Sequence, residues 1–206
     1  FCVWHPGLKP SVALLDPELT HGLPAHLTAW TGVDALTHAI EAFTVPDFNP
    51  LCDGLALEAL ALISQWLERA VETPDDADAR GGMLVGSCLA GIAFLKGLGH
   101  VHAISHMVGA EYDTQHGLTN AIVLPAVLRY NLPHLPQNTR RMAEAKGMGA
   151  LDPDIPKSLG QIGVPTDSSA RVAQKAVLDA AAGTNPRSST VAEMQILIET
   201  AIAGAR

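Results

Sequence analysis

Four of the nine histidines in this 206-residue chain lie between Gly97 and Gly117, in the stretch GLGHVHAISHMVGAEYDTQHG. They are His100, His102, His106 and His116. His102 and His106 are four residues apart, so a helix would place both rings on one face, where one metal ion can bind them. A lone histidine is more often a hydrogen-bonded core or surface residue. A metal site here therefore needs further ligands from elsewhere in the chain.

A second pair with the same spacing lies more than 60 residues earlier. Asp34 and His38 occur in WTGVDALTHAIEAF, which is otherwise apolar and has helical periodicity. The dipole of a helix N-terminus would account for Asp34, but not for His38 one turn further on. One carboxylate and three imidazoles would make a four-ligand site suited to Fe(II) or Zn(II) rather than to Mg or Ca.

The elements that position these residues are predicted to be helices, because the chain is rich in Ala and Leu and only 4% aromatic. We expect a first helix through GVDALTHAIEAF, capped by Thr28 or Thr31 and ending before Pro46. A second helix is expected over 53–71 and a third over about 77–96.

The histidine-rich stretch itself predicts a short helix through HVHAISHMV that is broken near Gly109. A helix over about 118–130 follows, which Pro125 should kink. The last 75 residues predict three or four shorter helices, with breaks at Pro and Gly positions that include Pro153. Val12 to Leu15 could form one short strand.

Charge and composition exclude several functions. A net charge of −8 argues against nucleic-acid binding, which needs Lys and Arg. The longest uncharged apolar run, Gly81 to Leu95, falls short of a membrane span, so we expect a helix buried on most sides and no membrane contact. Cys2, Cys52 and Cys88 form no CxxC pair, which favours a reducing compartment, the cytoplasm.

Two long segments resemble the iron-containing (group III) alcohol dehydrogenases, a family of the dehydroquinate synthase-like superfamily. They are PSVALLDPELTHGLPAHLTAWTGVDALTHAIEAF and KGLGHVHAISHMVGAEYDTQHGLTNAIVLPAVLRYN, and TNPR near the end resembles the C-terminal segment of the family. The resemblance covers about residues 10–132 well and the tail weakly. It implies a mainly α fold, the helical C-terminal domain of the family.

The resemblance implies that Asp34, His38, His102 and His116 are the metal ligands. His106 matches a catalytic position near the substrate that is implicated in proton transfer or cofactor contact, and His100 is interpreted as incidental. Phe94, Gly97 and Gly99 would contact the nicotinamide cofactor. Glu41, three residues after His38, could orient the ring of that histidine, but is more simply interpreted as a solvated helix residue.

The implied reaction is reversible hydride transfer between a primary or secondary alcohol and NAD or NADP, with the alkoxide bound to Fe(II) or Zn(II). Because no Gly-rich nucleotide-binding motif follows a strand, we expect the α/β nucleotide-binding domain of the family to lie upstream of this chain. Residues 1–22 would be the linker and residues 23–206 the helical catalytic domain. We also expect a small alcohol or aldehyde as substrate, and a homodimer.

Other interpretations remain open. The chain could belong to another enzyme of the superfamily, such as one like glycerol dehydrogenase. It could also be a scaffold or dimerisation fragment with a vestigial metal site, or a helical binding protein without metal. Relatives specialised for maleylacetate reduction lack this ligand set, so its presence favours a metal-dependent alcohol dehydrogenase.

Overall fold

A computed structural model describes residues 5–8, 10–145 and 156–204. Within these ranges the chain is helical and contains no strand, which confirms the mainly α prediction. Short 3-10 turns join several of the helices, among them the turn Phe94–Lys96. The α-helices of the described residues are α1 (Ala25–Thr44), α2 (Pro50–Glu72), α3 (Ala77–Ala93), α4 (His100–Tyr112), α5 (His116–Asn131), α6 (Pro136–Ala145), α7 (Ser169–Ala176) and α8 (Val191–Ala203).

The two larger of three apolar clusters among the described residues meet at α1. One cluster joins α1, α2 and α3 and includes the fully buried Ile63 and Leu67. The other joins α4, α5, α7 and α8 and includes the fully buried Ile104 and Ile198. Ile40 of α1 packs against both clusters. Helix α1 is therefore covered on two sides, and most of its residues after Thr31 are buried.

The start of α1 differs from the prediction. The helix begins at Ala25 directly after Pro24, and neither Thr28 nor Thr31 caps it. Pro24 has an extended ψ of 146° and therefore lies outside the helix. The helix begins at the next residue, about one turn earlier than expected. The hydroxyl of Thr31 lies inside the helix and donates to the carbonyl of Leu27. The predicted end before Pro46 is confirmed.

Helix α4 is longer than predicted, because Gly109 does not break it. It continues to Tyr112 and ends where Asp113 adopts a left-handed conformation with φ 51°. A glycine lowers the stability of a helix without ending it when packing on both sides continues. Helix α5 likewise runs through Pro125 without ending there.

The strand expected from Val12 to Leu15 is wrong. These residues follow an irregular path, and Val12 and Leu14 are 79% and 86% exposed. A strand needs a partner for its backbone hydrogen bonds, and the described residues offer none. The predicted break at Pro153 lies outside the described residues.

Helix α3 is buried along one stripe rather than on most sides. Its buried positions include Gly86, Ala90 and Ala93, while Val85 and Ile92 are more than 40% exposed. With the following 3-10 turn it is the one described helix that is long and apolar enough to cross a membrane by length and composition. A single helix of this kind is weak evidence, since core helices of soluble proteins pass the same test.

Candidate metal centre

One face of α1 carries three polar side chains. Asp34, His38 and Glu41 follow one another at intervals of four and three residues, which aligns them along the helix. The side chains of Asp34 and His38 are 23% and 21% exposed, whereas that of Glu41 is 4% exposed. Asp34 and His38 are therefore partly open to solvent, whereas Glu41 lies in the interior.

The carboxylate of Glu41 holds the start of α4. It accepts hydrogen bonds from Gly99 N–H (2.8 Å) and Val101 N–H (2.8 Å), two donors that have no partner within the helix. The same carboxylate lies 2.7 Å from Nδ1 of His102. This contact leaves Nε2 of His102 as the nitrogen that can bind a metal.

The C-terminal segment completes this support. The amide oxygen of Asn185 accepts from the N–H of His100 at 3.1 Å. Thr184 both accepts from Leu98 N–H (3.1 Å) and donates to Leu98 O (2.7 Å). The segment before α4 and its first residues are therefore bonded to α1 on one side and to residues 184–185 on the other.

Helix α5 brings its first turn against α1. Its first residue is His116, and Asn120 lies one turn further on. A Cβ atom at Gly117 would lie 2.3 Å from the carbonyl oxygen of Trp30 and 3.2 Å from Cβ of Asp34. The absence of a side chain at Gly117 therefore permits the close approach that puts His116 beside Asp34.

The four sequence-predicted ligands lie together. Candidate ligand atoms of Asp34, His38 and His102 all lie within 4.8 Å of one another. Oδ1 of Asp34 is 3.5 Å from Nε2 of His116 and 3.7 Å from Nε2 of His102. Ligand atoms around one tetrahedral zinc lie roughly 3.3–3.6 Å apart, given metal–ligand distances of about 2.0–2.2 Å. The arrangement fits a transition-metal ion, and the nitrogen-rich ligand set does not suit Mg or Ca.

The electrostatics of the site favour a cation. Burial opposes protonation of His102, but its contacts with Asp34 and Glu41 outweigh burial and raise its pKa to about 9. Burial raises the pKa of Asp34, yet its bond with His102 and the charges of His38 and His116 make the net shift a lowering. Two carboxylates thus face one buried imidazole, which is an arrangement that attracts positive charge.

Burial is the dominant influence on the pKa of the other two imidazoles, His38 and His116. It lowers the pKa of His38 to about 4, and it also lowers the pKa of His116. Both rings are therefore neutral at pH 7, the form in which histidine binds metals.

His106, the predicted catalytic residue, lies at the edge of this cluster. Its side chain is 40% exposed, and its ring stacks on that of His116 with a centroid distance of 5.6 Å. Nδ1 of His106 lies 3.1 Å from Oδ2 of Asp179, a residue that the sequence interpretation did not single out. Asp179 also accepts from the backbone N–H of Ala181, which holds the carboxylate in place.

The residues predicted to contact a cofactor border the same centre. The ring of Phe94 lies against His38, with centroids 5.1 Å apart. Gly97 has φ 139°, a conformation that side chains rarely adopt, and a Cβ there would meet Thr184. At Gly99 a Cβ would lie 2.7 Å from both Glu41 and Asn185. Packing therefore explains both glycines, and their contact with a cofactor stays a prediction.

One sequence interpretation changes in the structure, that of Glu41, while that of His100 as incidental does not. Glu41 is not a solvated helix residue, because α1 packs on two sides and leaves it no solvent face; it contacts His102 rather than His38. His100 does not lie with the ligands: it is 1% exposed, with its ring 6.0 Å from that of Tyr130.

Comparison with known proteins identifies the family. Residues 28–153 match the model of the Fe-containing alcohol dehydrogenase family, C-terminal part. The chain belongs to this family. Two similar curated proteins are the probable alcohol dehydrogenase EutG of Escherichia coli and the 1,3-propanediol dehydrogenase of Klebsiella pneumoniae. The first is 38% identical over 92% of this chain and 52% of its own length, and the second 38% over 93% and 55%.

Solved structures of the family share the fold. A crystal structure of 1,3-propanediol oxidoreductase is 37% identical, with a TM-score of 0.89 over 94% of this chain and 56% of its own. The maleylacetate reductase from Rhizobium sp. is 28% identical, with a TM-score of 0.87 over 99% of this chain and 60% of its own. The chain thus spans about half the length of the curated relatives that it matches.

Replacing Glu41 by Gln should destabilise the protein. A carboxamide has one acceptor oxygen, so it cannot accept from Gly99, Val101 and His102 together, and at least one buried donor loses its partner. We expect a loss of about 1–3 kcal/mol in the free energy of unfolding, measured by denaturant titration. The exposed Glu58 of α2 provides the matched control, since Glu58→Gln should have no measurable effect. Equal stability of the two variants would contradict the role given to Glu41.

Replacing Gly117 by Ala should weaken metal binding, because the new Cβ would push α5 away from α1 beside Asp34. We expect the affinity for Zn(II), measured by competition with a chelating dye, to fall by roughly tenfold or more. Gly109→Ala in α4 is the control, since its Cβ meets nothing closer than Thr114 O at 3.7 Å. That variant should bind Zn(II) like the wild type, and unchanged affinity in Gly117→Ala would be inconsistent with the close approach.

His100 should make stability depend on pH. Burial lowers its pKa to about 4 in the folded chain, from an ordinary value of 6.5, so the unfolded chain takes up a proton first as the pH falls. The contribution of neutral His100 is complete above pH 6.5 and is lost towards pH 4. Relative to His100→Leu, the wild type should lose up to roughly 3 kcal/mol between pH 7 and 4, measured by urea unfolding after chelator treatment. Parallel pH profiles for the two proteins would refute this assignment.

Proposed function

We propose that this chain is the metal-binding part of an NAD(P)-dependent alcohol dehydrogenase that interconverts a primary or secondary alcohol and the corresponding aldehyde or ketone. The observation that carries the proposal is the convergence of Asp34, His38, His102 and His116 from three helices onto one partly exposed cluster. Family membership supports this interpretation. Fe(II) and Zn(II) both suit a set of one carboxylate and three imidazoles.

A bound Fe(II) or Zn(II) ion would supply Lewis acidity, which lowers the pKa of an alcohol and polarises a carbonyl group. The protein contributes orientation. Glu41 fixes the ring of His102 from behind, and Gly117 lets His116 approach Asp34. Phe94 covers one side of His38. These contacts orient the ligand side chains before any ion binds.

Proton transfer is assigned to His106. Its bond to Asp179 engages Nδ1, so Nε2 is the atom free to exchange a proton with substrate or solvent. The 40% exposure of the side chain supports this role, since a proton relay must reach water. Stacking on His116 places the ring of His106 directly beside one of the proposed metal ligands.

Relatives favour small alcohols as substrates. The names of matching proteins refer to 1,3-propanediol, 4-hydroxybutyrate and methanol. We therefore propose a small alcohol, with NAD or NADP bound in part by residues near Phe94, Gly97 and Gly99. A homodimer and a cytoplasmic location belong to the same proposal. The retained ligand set argues against maleylacetate reduction, although a maleylacetate reductase shares the fold.

Substitution of single ligands tests this function in the full-length protein. His102→Ala and His116→Ala should each lose most of the bound metal, measured by elemental analysis, and alcohol-dependent NAD(P) reduction should fall at least a hundredfold. His26→Ala, a histidine of α1 that contacts Trp30 instead, should keep both metal and activity. Full metal content in both ligand variants would overturn the proposal.

A further inference from the structure

Asn120 contacts the ligand cluster without belonging to the predicted ligand set. It is completely buried in α5, one turn after His116. Its side-chain nitrogen Nδ2 lies 2.6 Å from Oδ1 of Asp34, 3.1 Å from Nε2 of His116 and 3.2 Å from Nε2 of His102. One amide group therefore contacts three of the four candidate ligands.

The number of hydrogen bonds that each atom can form indicates which of the three contacts can persist when a metal ion is bound. A primary amide has two N–H donors, so it cannot satisfy three acceptors fully. Each neutral imidazole offers one lone pair, and a nitrogen that binds a metal ion has none left to accept a hydrogen bond. A carboxylate oxygen has two lone pairs, so Oδ1 of Asp34 can accept from Asn120 while the carboxylate also binds an ion. The contact with Asp34 is also the shortest of the three.

The side-chain oxygen of Asn120 makes no hydrogen bond with the described residues that would explain how the amide is oriented. Its oxygen Oδ1 is buried and has no hydrogen-bond partner among the described residues. The orientation of the amide therefore depends on its nitrogen contacts with the ligand residues. A purely structural asparagine would be expected to use both its oxygen and its nitrogen, as Asn131 and Asn185 do with each other.

We propose that Asn120 is a positioning residue of the metal centre, which holds the carboxylate of Asp34 in the direction required for metal binding. It acts through Asp34 and is not itself a ligand. The proposal rests on the proposed function, because it presumes that Asp34, His102 and His116 bind a metal. It adds a residue from α5 that controls the only carboxylate in the set.

Titration with Co(II) tests the proposal in the full-length protein after chelator treatment. Asn120→Leu keeps a similar volume but removes the donor, and Asn120→Ala removes both. In each variant the Co(II) dissociation constant should rise about 10- to 100-fold, the range measured when groups that support metal ligands are removed. The visible absorption bands of bound Co(II) should also shift, because the direction of the Asp34 ligand changes. A loss of stability alone would leave these bands unmoved.

Thr119→Val is the matched control, because Thr119 is also completely buried but contacts Thr114 and Gln115 instead of ligands. It should bind Co(II) with wild-type affinity and spectrum. Wild-type affinity and spectrum in Asn120→Leu or Asn120→Ala, while Asp34→Ala loses Co(II), would overturn the role of Asn120 and leave the proposed function intact. Unchanged Co(II) binding in Asp34→Ala itself would instead refute the metal centre.

Discussion

The three hydrogen bonds accepted by the carboxylate of Glu41 are the interaction on which the site depends. Helix α4 begins at His100, and Gly99 before it has no side chain to cap the helix, so the first N–H groups need partners from elsewhere. Glu41 satisfies two of them and also bonds the ring of His102. A negative charge at a helix N-terminus is favourable, and burial strengthens the effect. One side chain of α1 therefore sets both the position of α4 and the orientation of a ligand that α4 carries.

Close approach of the helix backbones brings the candidate ligands of different helices together. The site draws on α1, α4 and α5. Candidate ligand atoms of α1 and α4 lie within 4.8 Å of one another, and Nε2 of His116 in α5 lies 3.5 Å from Asp34, so these helices must approach closely. Glycines make that possible at two contacts: Gly99 lies against Glu41, and Gly117 lies against the carbonyl of Trp30. The geometry of the cluster is thus a property of backbone packing, and the ligand side chains need no unusual extension to meet.

Part of this site could be predicted from the sequence. The spacing of Asp34 and His38, and the density of histidines after Gly97, indicated metal chemistry, and resemblance to a family selected His102 and His116 over their neighbours. The helical content followed from composition. Helix limits were less certain, because Gly109 is tolerated within α4 and the start of α1 follows the backbone of Pro24 rather than a threonine cap.

The supporting residues could not be assigned in the same way. Glu41 has the pattern of a solvated glutamate, and only packing on two sides of α1 shows that it is buried, although its position seven residues after Asp34 was a usable signal. Asn120 follows His116 by four residues, which places it on the same face of α5. Asn185 is 85 residues from the backbone group that it bonds, so no local pattern could connect them.

The support of α4 from distant parts of the chain has a consequence for the order of assembly. The partners of its first residues lie 58 residues before Gly99 and 85 residues after His100. Contacts of such long sequence separation form late in folding, because a large loop must first be closed. During synthesis the second of these partners leaves the ribosome long after the ligands themselves. The support of α4 is therefore complete only after residue 185 has been made, and a product that ends before Asn185 would lack this contact at the start of the helix that carries His102.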